Sequence, residues 1–131
     1  MAEPSPKPAA LVVDDDLSYR IFMRQILELA GFAVTVETNP RVALRRLRDQ
    51  PTAVLVTDLF VPEIGGLELI ETARGALPGL RIVAVSGGGP RGEAGHLRIA
   101  PLFGADATLR KPFNGNELMA AVGLADCRGA G

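Results

Sequence analysis

Five short apolar runs alternate with five amphipathic stretches along this chain, and the alternation sets the fold class before any single residue is considered. Ala9 to Val13, Phe32 to Val36, Ala53 to Thr57, Leu80 to Val85 and Ala105 to Leu109 each have strand length. Most lack a regular polar face, the pattern of strands covered on both sides. Between them, Leu17, Ile21, Phe22, Ile26 and Leu29 recur at helical spacing, and Gly31 offers a stop. Asn39-Pro40 reads as a helix start, a capping side chain followed by proline at the first helical position. That helix turns Ala43, Leu44 and Leu47 inward and Arg41, Arg45, Arg46 and Arg48 to water. Leu67 to Arg74 forms a third helix. Glycines 87, 88, 89, 92 and 95, with Pro90, delay the fourth until about His96 and loosen its beginning. Asn114 with Glu117 three residues on forms a capping box for the last, whose buried stripe is Leu118, Ala121 and Val122.

Strand–helix alternation of this kind predicts a parallel sheet with helices on both faces. For five units the expected architecture is a flavodoxin-like, doubly wound α/β fold with strand order 2-1-3-4-5 and five helices. The 131 residues suit one domain, expected over 9–125, after a polar, proline-broken and disordered lead at 1–8 and before a tail at 126–131. A net charge of -1 provides no overall field for nucleic acid or an anionic membrane. No run approaches the ~20 apolar residues of a membrane span, and the N-terminus has no signal-peptide core. Cys127 is the only cysteine, which fits a reducing, cytoplasmic setting.

In such sheets functional groups collect at the carboxyl ends of the strands, near the switch in strand order. The polar residues expected there are Asp14 and Asp15, Asp58, Ser86 and Lys111, on four strands that the proposed order makes neighbours. Crowded carboxylates repel one another unless a cation neutralises them. Oxygen donors without sulfur or imidazole favour a hard ion, Mg2+ or Mn2+. A carboxylate beside such an ion can attack phosphorus and form an acyl phosphate, with Lys111 and the Ser86 hydroxyl offsetting charge on the transferring oxygens.

Three segments carry a resemblance to a known family. Leu11-Val-Val-Asp-Asp15 resembles the acidic first-strand motif of response-regulator receiver domains. Asp58-Leu-Phe-Val-Pro62 is similar to the segment holding their phosphorylated aspartate, and Gly104-Ala-Asp-Ala-Thr-Leu-Arg-Lys-Pro-Phe113 to their closing signature. The resemblance implies Asp58 as phosphoacceptor, with Asp14, Asp15, Asp58 and the backbone carbonyl of Phe60 as metal ligands. It implies Ser86 and Lys111 as the groups that bond the phosphoryl, and a cis bond between Lys111 and Pro112. It makes Ser86 and Thr108 the switch positions, though the family usually carries an aromatic residue in place of Thr108. Gly65 stands where an aspartate is common. Phe60 and Gly88 occupy the places that gate the hydrolytic water, so a bulky Phe60 is expected to shield the acyl phosphate.

Taken singly, each residue has an ordinary explanation: one of the three aspartates caps the first helix, Ser86 bonds its own backbone, and Lys111 is solvated. Four strand ends each bearing the required group make the joint reading the stronger one. It implies a stand-alone signalling switch, since little sequence follows the last helix. The phosphoryl group would come from a histidine kinase or histidine phosphotransfer protein, and output would pass to a downstream effector protein. No nucleic acid or membrane partner, no organic cofactor and no turnover of an external substrate are expected. The alternative is a degenerate receiver acting as an unphosphorylated interaction module.

Overall fold

The computed structural model describes residues 7–60, 65–87 and 93–123, with side chains of the last stretch from residue 97 onward. Its elements run β1 (Ala9–Val13), α1 (Leu17–Leu29), β2 (Ala33–Glu37), α2 (Pro40–Asp49), β3 (Val54–Asp58), α3 (Gly65–Ala76), β4 (Arg81–Gly87), α4 (Glu93–Phe103), β5 (Ala107–Lys111) and α5 (Gly115–Val122). Every strand pair is parallel, and the sheet order is β2-β1-β3-β4-β5. The fold is the flavodoxin-like one that the alternation predicts. Among the described residues no helix is long and apolar enough to cross a membrane.

Side chains alternate across each strand, so the sheet divides the core in two. Leu11, Val13, Leu55, Ile82 and Ala84 pack against the α2, α3 and α4 side. Ala10, Val12, Val54, Val56, Val83 and Val85 pack against Met23 and Leu27 of α1 and Leu118 and Val122 of α5. β3, at the centre, is buried along its whole length.

The helix starts follow their capping chemistry. Asn39 accepts a hydrogen bond from the Arg41 amide with Pro40 behind it, and Asn114 and Glu117 exchange both bonds of a capping box. Pro8, the last residue of the expected lead, accepts a bond from the Ala33 amide at 2.9 Å. Expectations for residues 1–6 and 124–131 lie outside the described residues, as does the glycine-rich stretch at 88–92.

Four expectations need correction. The apolar stripe of α1 is only partly the one its spacing suggested: Phe22 and Ile26 turn inward, but Leu17, Ile21 and Leu29 are 61%, 50% and 85% exposed. The inward face carries Tyr19, Phe22, Met23, Ile26, Leu27 and Ala30, an equally regular series rotated about the helix axis. The strand ends also differ. Asp58, Ser86 and Lys111 lie within β3, β4 and β5, because the ladder continues through polar residues as long as partners remain, Asp58 opposite Val85 and Gly87 opposite Lys111. Finally, α4 begins at Glu93, earlier than the glycines implied, and Arg46 is half-buried in an ion pair with Glu37, not on the wet side.

Arg74 ties the lower end of the sheet together. Its guanidinium donates to the carbonyls of Gly104 (3.0 and 2.8 Å), Pro78 (2.7 Å) and Leu80 (2.8 Å) and to the Asp106 carboxylate (2.6 Å). Asp106 in turn accepts from the Ile82 amide, fixing the approach to β5.

Candidate functional site

Strand alternation brings three charged side chains to one point. Asp14 follows β1 with the parity of Ala10 and Val12. Asp58 shares the parity of Val54 and Val56, and Lys111 that of Ala107 and Leu109, all on the α1 and α5 side. Lys111 Nζ donates to Asp58 Oδ2 at 2.8 Å and stands 2.9 Å from Asp14 Oδ2. Asp14 is fully buried and Asp58 is 6% exposed. The remaining oxygens are held by backbone: Asp58 Oδ1 accepts from the Phe60 amide at 2.7 Å, and Asp14 Oδ1 from the Asp16 amide at 2.9 Å. Arg20 donates to the Asp14 carbonyl at 3.0 Å.

The consecutive aspartates divide their labour. Asp14 points into the pocket, Asp16 caps α1 by accepting from the Ser18 and Tyr19 amides, and Asp15 is exposed between them. The electrostatics are strained. Burial pushes the Asp14 carboxyl above the usual carboxylate range, and neighbouring Asp58 adds to the effect, against the opposing pull of the Asp16 amide and of Lys111. Burial opposes the Lys111 charge, but Asp58 and Asp14 more than offset it, so its pKa rises and the ammonium persists at neutral pH.

Two buried carboxylates against one ammonium leave an excess negative charge, and Asp14 Oδ2 meets Lys111 by charge alone, without an aligned hydrogen bond. That oxygen, ion-paired but without a hydrogen bond, and an all-oxygen donor set fit a hard divalent cation. Among the described residues no three carboxylate, imidazole or thiol side chains group into a cage. The pair Asp14 and Asp58 suits magnesium, which takes one or two carboxylates and keeps its waters.

Ser86 is buried at the tip of β4, and its hydroxyl donates to the Gly87 carbonyl at 3.3 Å. By alternation it shares the α4 side with Ala84, so the contacts at the site join 14, 58 and 111, with Ser86 next to them along the sheet edge. Thr108 is exposed, and the Lys111–Pro112 bond is cis.

A family model for the response regulator receiver domain matches residues 10–123. The chain belongs to that family. Receiver domains are signalling domains of two-component systems, and this one is 38% identical over 77 residues to the response regulator receiver protein CpdR of Brucella abortus. That match covers 59% of this chain and 64% of the relative. It is 33% identical over 114 residues to the CpxR homolog of Haemophilus influenzae, described as a transcriptional regulatory protein, covering 86% of this chain and 47% of that protein. The matches thus span about half to two-thirds of these relatives' length. A CheY-like receiver from Methanospirillum hungatei superposes with a TM-score of 0.81 at 26% identity, covering 95% of this chain and 99% of that one. A response regulator from Burkholderia pseudomallei, solved with a phosphorylated aspartic acid, a calcium ion and citrate, gives a TM-score of 0.77 at 26% identity. It covers 94% of this receiver and 72% of that chain.

Reading the sequence missed two residues that shape the receiver pocket. A Cβ on Gly66 would lie 2.4 Å from the Asp58 carbonyl oxygen and from Leu59 Cα, so only glycine lets α3 approach the end of β3 this closely. The glycine pair was visible in the sequence, but its neighbour was not. Tyr19 is the second, and its spacing on α1 gave no sign of what it faces.

Proposed function

We propose that this receiver accepts a phosphoryl group on Asp58 and works as a phosphorylation-dependent switch. The donor is the phosphohistidine of a histidine kinase or of a histidine phosphotransfer protein, and the signal passes to a separate effector protein. The observation that carries this reading is the contact of Lys111 Nζ with Asp58 Oδ2 at 2.8 Å beside a second buried carboxylate 2.9 Å away. A surface aspartate that merely opens a loop has no such surroundings. Family membership and the phosphorylated aspartate of the Burkholderia pseudomallei neighbour support the same role.

In the transfer, a carboxylate oxygen of Asp58 attacks phosphorus, the bond from phosphorus to the imidazole nitrogen breaks, and the released nitrogen keeps the electron pair. The Phe60 amide and Lys111 hold the carboxylate in one rotamer, which limits the orientations it must search. Lys111 brings a positive charge to the place where negative oxygen charge gathers, and the backbone bond from Asp16 fixes Asp14. Mg2+ or Mn2+ held by Asp14 and Asp58, with Asp15 and the Phe60 carbonyl as further ligands, would supply neutralisation of the phosphoryl oxygens. Ser86, buried at the end of β4 beside β3, would offer its hydroxyl to the phosphoryl group, and with Thr108 it forms the proposed switch pair. Partners of this kind place the domain in the cytoplasm, acting on itself and turning over no external substrate.

Incubation with acetyl phosphate and Mg2+, followed by intact mass, tests the reading. Wild type gains one phosphoryl group, and Asp58→Asn gains none. An unmodified wild type would instead favour the unphosphorylated interaction module, for which the exposed Thr108 at the switch position is the motivating observation.

A further inference from the structure

The Lys111 ammonium has a third neighbour, and it carries no charge. The Tyr19 ring lies under Nζ, 4.3 Å from the ring centroid. That ring is fixed from two directions. Asp16 accepts hydrogen bonds from the Ser18 and Tyr19 amides at 2.9 and 3.3 Å, which pins the first turn of α1. Phe113, two residues beyond Lys111, packs on Tyr19 with centroids 5.5 Å apart, and Phe22 closes the cluster at 6.3 Å from Tyr19 and 5.9 Å from Phe113.

We propose that Tyr19 is a positioning residue for phosphoryl transfer, its ring holding the Lys111 ammonium beside Asp58 while the charges around it change. The inference rests on Asp58 being the acceptor. A lysine side chain has four rotatable bonds and a strongly hydrated head, so it stays at one point only where neighbours hold it. Here the other neighbours of the ammonium are the Asp14 and Asp58 carboxylates. Both are groups that a divalent cation competes for, and Asp58 loses its free carboxylate once it is phosphorylated. An aromatic face attracts an ammonium through its quadrupole, binds no divalent cation in this setting and keeps its charge distribution throughout. Tyr19 is therefore the constant member of the set around Lys111.

The contact can be read without any phosphorylation. The Lys111 ε-methylene resonance should be displaced upfield by the ring current in wild type and in Tyr19→Phe, and should return toward the free-lysine position in Tyr19→Met. Methionine keeps an apolar, flexible side chain against Phe22 and Phe113, so this variant preserves the packing of α1. Initial rates with acetyl phosphate and Mg2+ give the second readout. Tyr19→Met is expected to slow phosphorylation about fivefold, the size of one cation–π contact. Tyr19→Phe recovers most of the rate, and half-saturation by Mg2+ is unchanged in both. In a Lys111→Ala background the Tyr19→Met substitution should have no further effect. An undisplaced ε-methylene in wild type, a Tyr19→Met rate equal to wild type, or equal slowing with and without Lys111 would each overturn the proposal. A wild type that takes up no phosphoryl mass is a different outcome: it ends the acceptor reading, and the positioning role with it.

Discussion

Gly66 and Asp58 touch through their backbones: a single methyl group on Gly66 would stand 2.4 Å from the carbonyl oxygen of Asp58. The N-terminal turn of α3 thus rests directly on the end of β3, the strand that carries the proposed acceptor. Gly66→Ala should cost about 2 kcal/mol in urea unfolding, in the range of overpacked sites, and should also slow phosphorylation because the displaced atoms belong to Asp58 and Leu59. Gly75→Ala, in the same helix with nothing within 4 Å of its Cβ, should leave stability unchanged or slightly raised. Equal effects of the two substitutions would remove the special status of Gly66.

Asp14 is buried with its carboxyl pKa raised, so ionising it opposes folding in the absence of metal. The sign follows from the direction. Protonated Asp14 favours the fold below the ordinary carboxylate pKa of 3.8, and that contribution fades as pH climbs through the raised value. Asp14→Asn keeps an oxygen for the Asp16 amide and should raise unfolding stability in EDTA at pH 7 by roughly 1 kcal/mol, as relief of a buried charge can. The gain should shrink toward pH 3.5. Added Mg2+ should stabilise wild type and not the variant. A destabilised variant in EDTA would show that the ion pair with Lys111 outweighs burial.

Arg74 answers four backbone and side-chain acceptors at once, which requires the fork of a guanidinium. Arg74→Met should destabilise by about 2 kcal/mol, since the part-buried carbonyls of Gly104 and Leu80 lose their donor, and Arg74→Lys should recover less than half. Measured by thermal unfolding, a loss below about 1 kcal/mol would mean that water replaces the guanidinium.

Phe60 is 45% exposed two residues beyond Asp58, and its amide holds Asp58 Oδ1. If its ring shields the acyl phosphate, Phe60→Asn should shorten the lifetime of phosphorylated protein severalfold at constant phosphorylation rate. An unchanged or longer lifetime would refute the shielding.

The strands and helices follow from apolar periodicity, because central strands such as Val54–Asp58 are buried throughout and advertise it, whereas their order came from the usual arrangement of five such units. Caps were legible for a similar reason: Asn39 and Asn114 act on amides two or three residues away. Which face of α1 turns inward was not. Two apolar series coexist on that helix, and the choice between Leu17 with Ile21 and Met23 with Leu27 depends on where Asp16 caps it and on the partner helix α5. The acidic residues were easy to find and hard to apportion. Nothing local distinguishes Asp14, buried against Lys111, from Asp15, exposed beside it. Contacts between residues distant in sequence, Tyr19 with Lys111 and Arg74 with Gly104, leave no trace in spacing at all.

Sidedness of the sheet has a last consequence. Asp14, Asp58 and Lys111 occupy the bank lined by α1 and α5, whereas Ser86 and Thr108 alternate to the other, where α4 lies. Thr108 has no ring to swing through the sheet. If Asp58 is phosphorylated, the Ser86 hydroxyl and the paired main chain of β4 and β5 are what link the two banks, with no ring at position 108 to pivot between them.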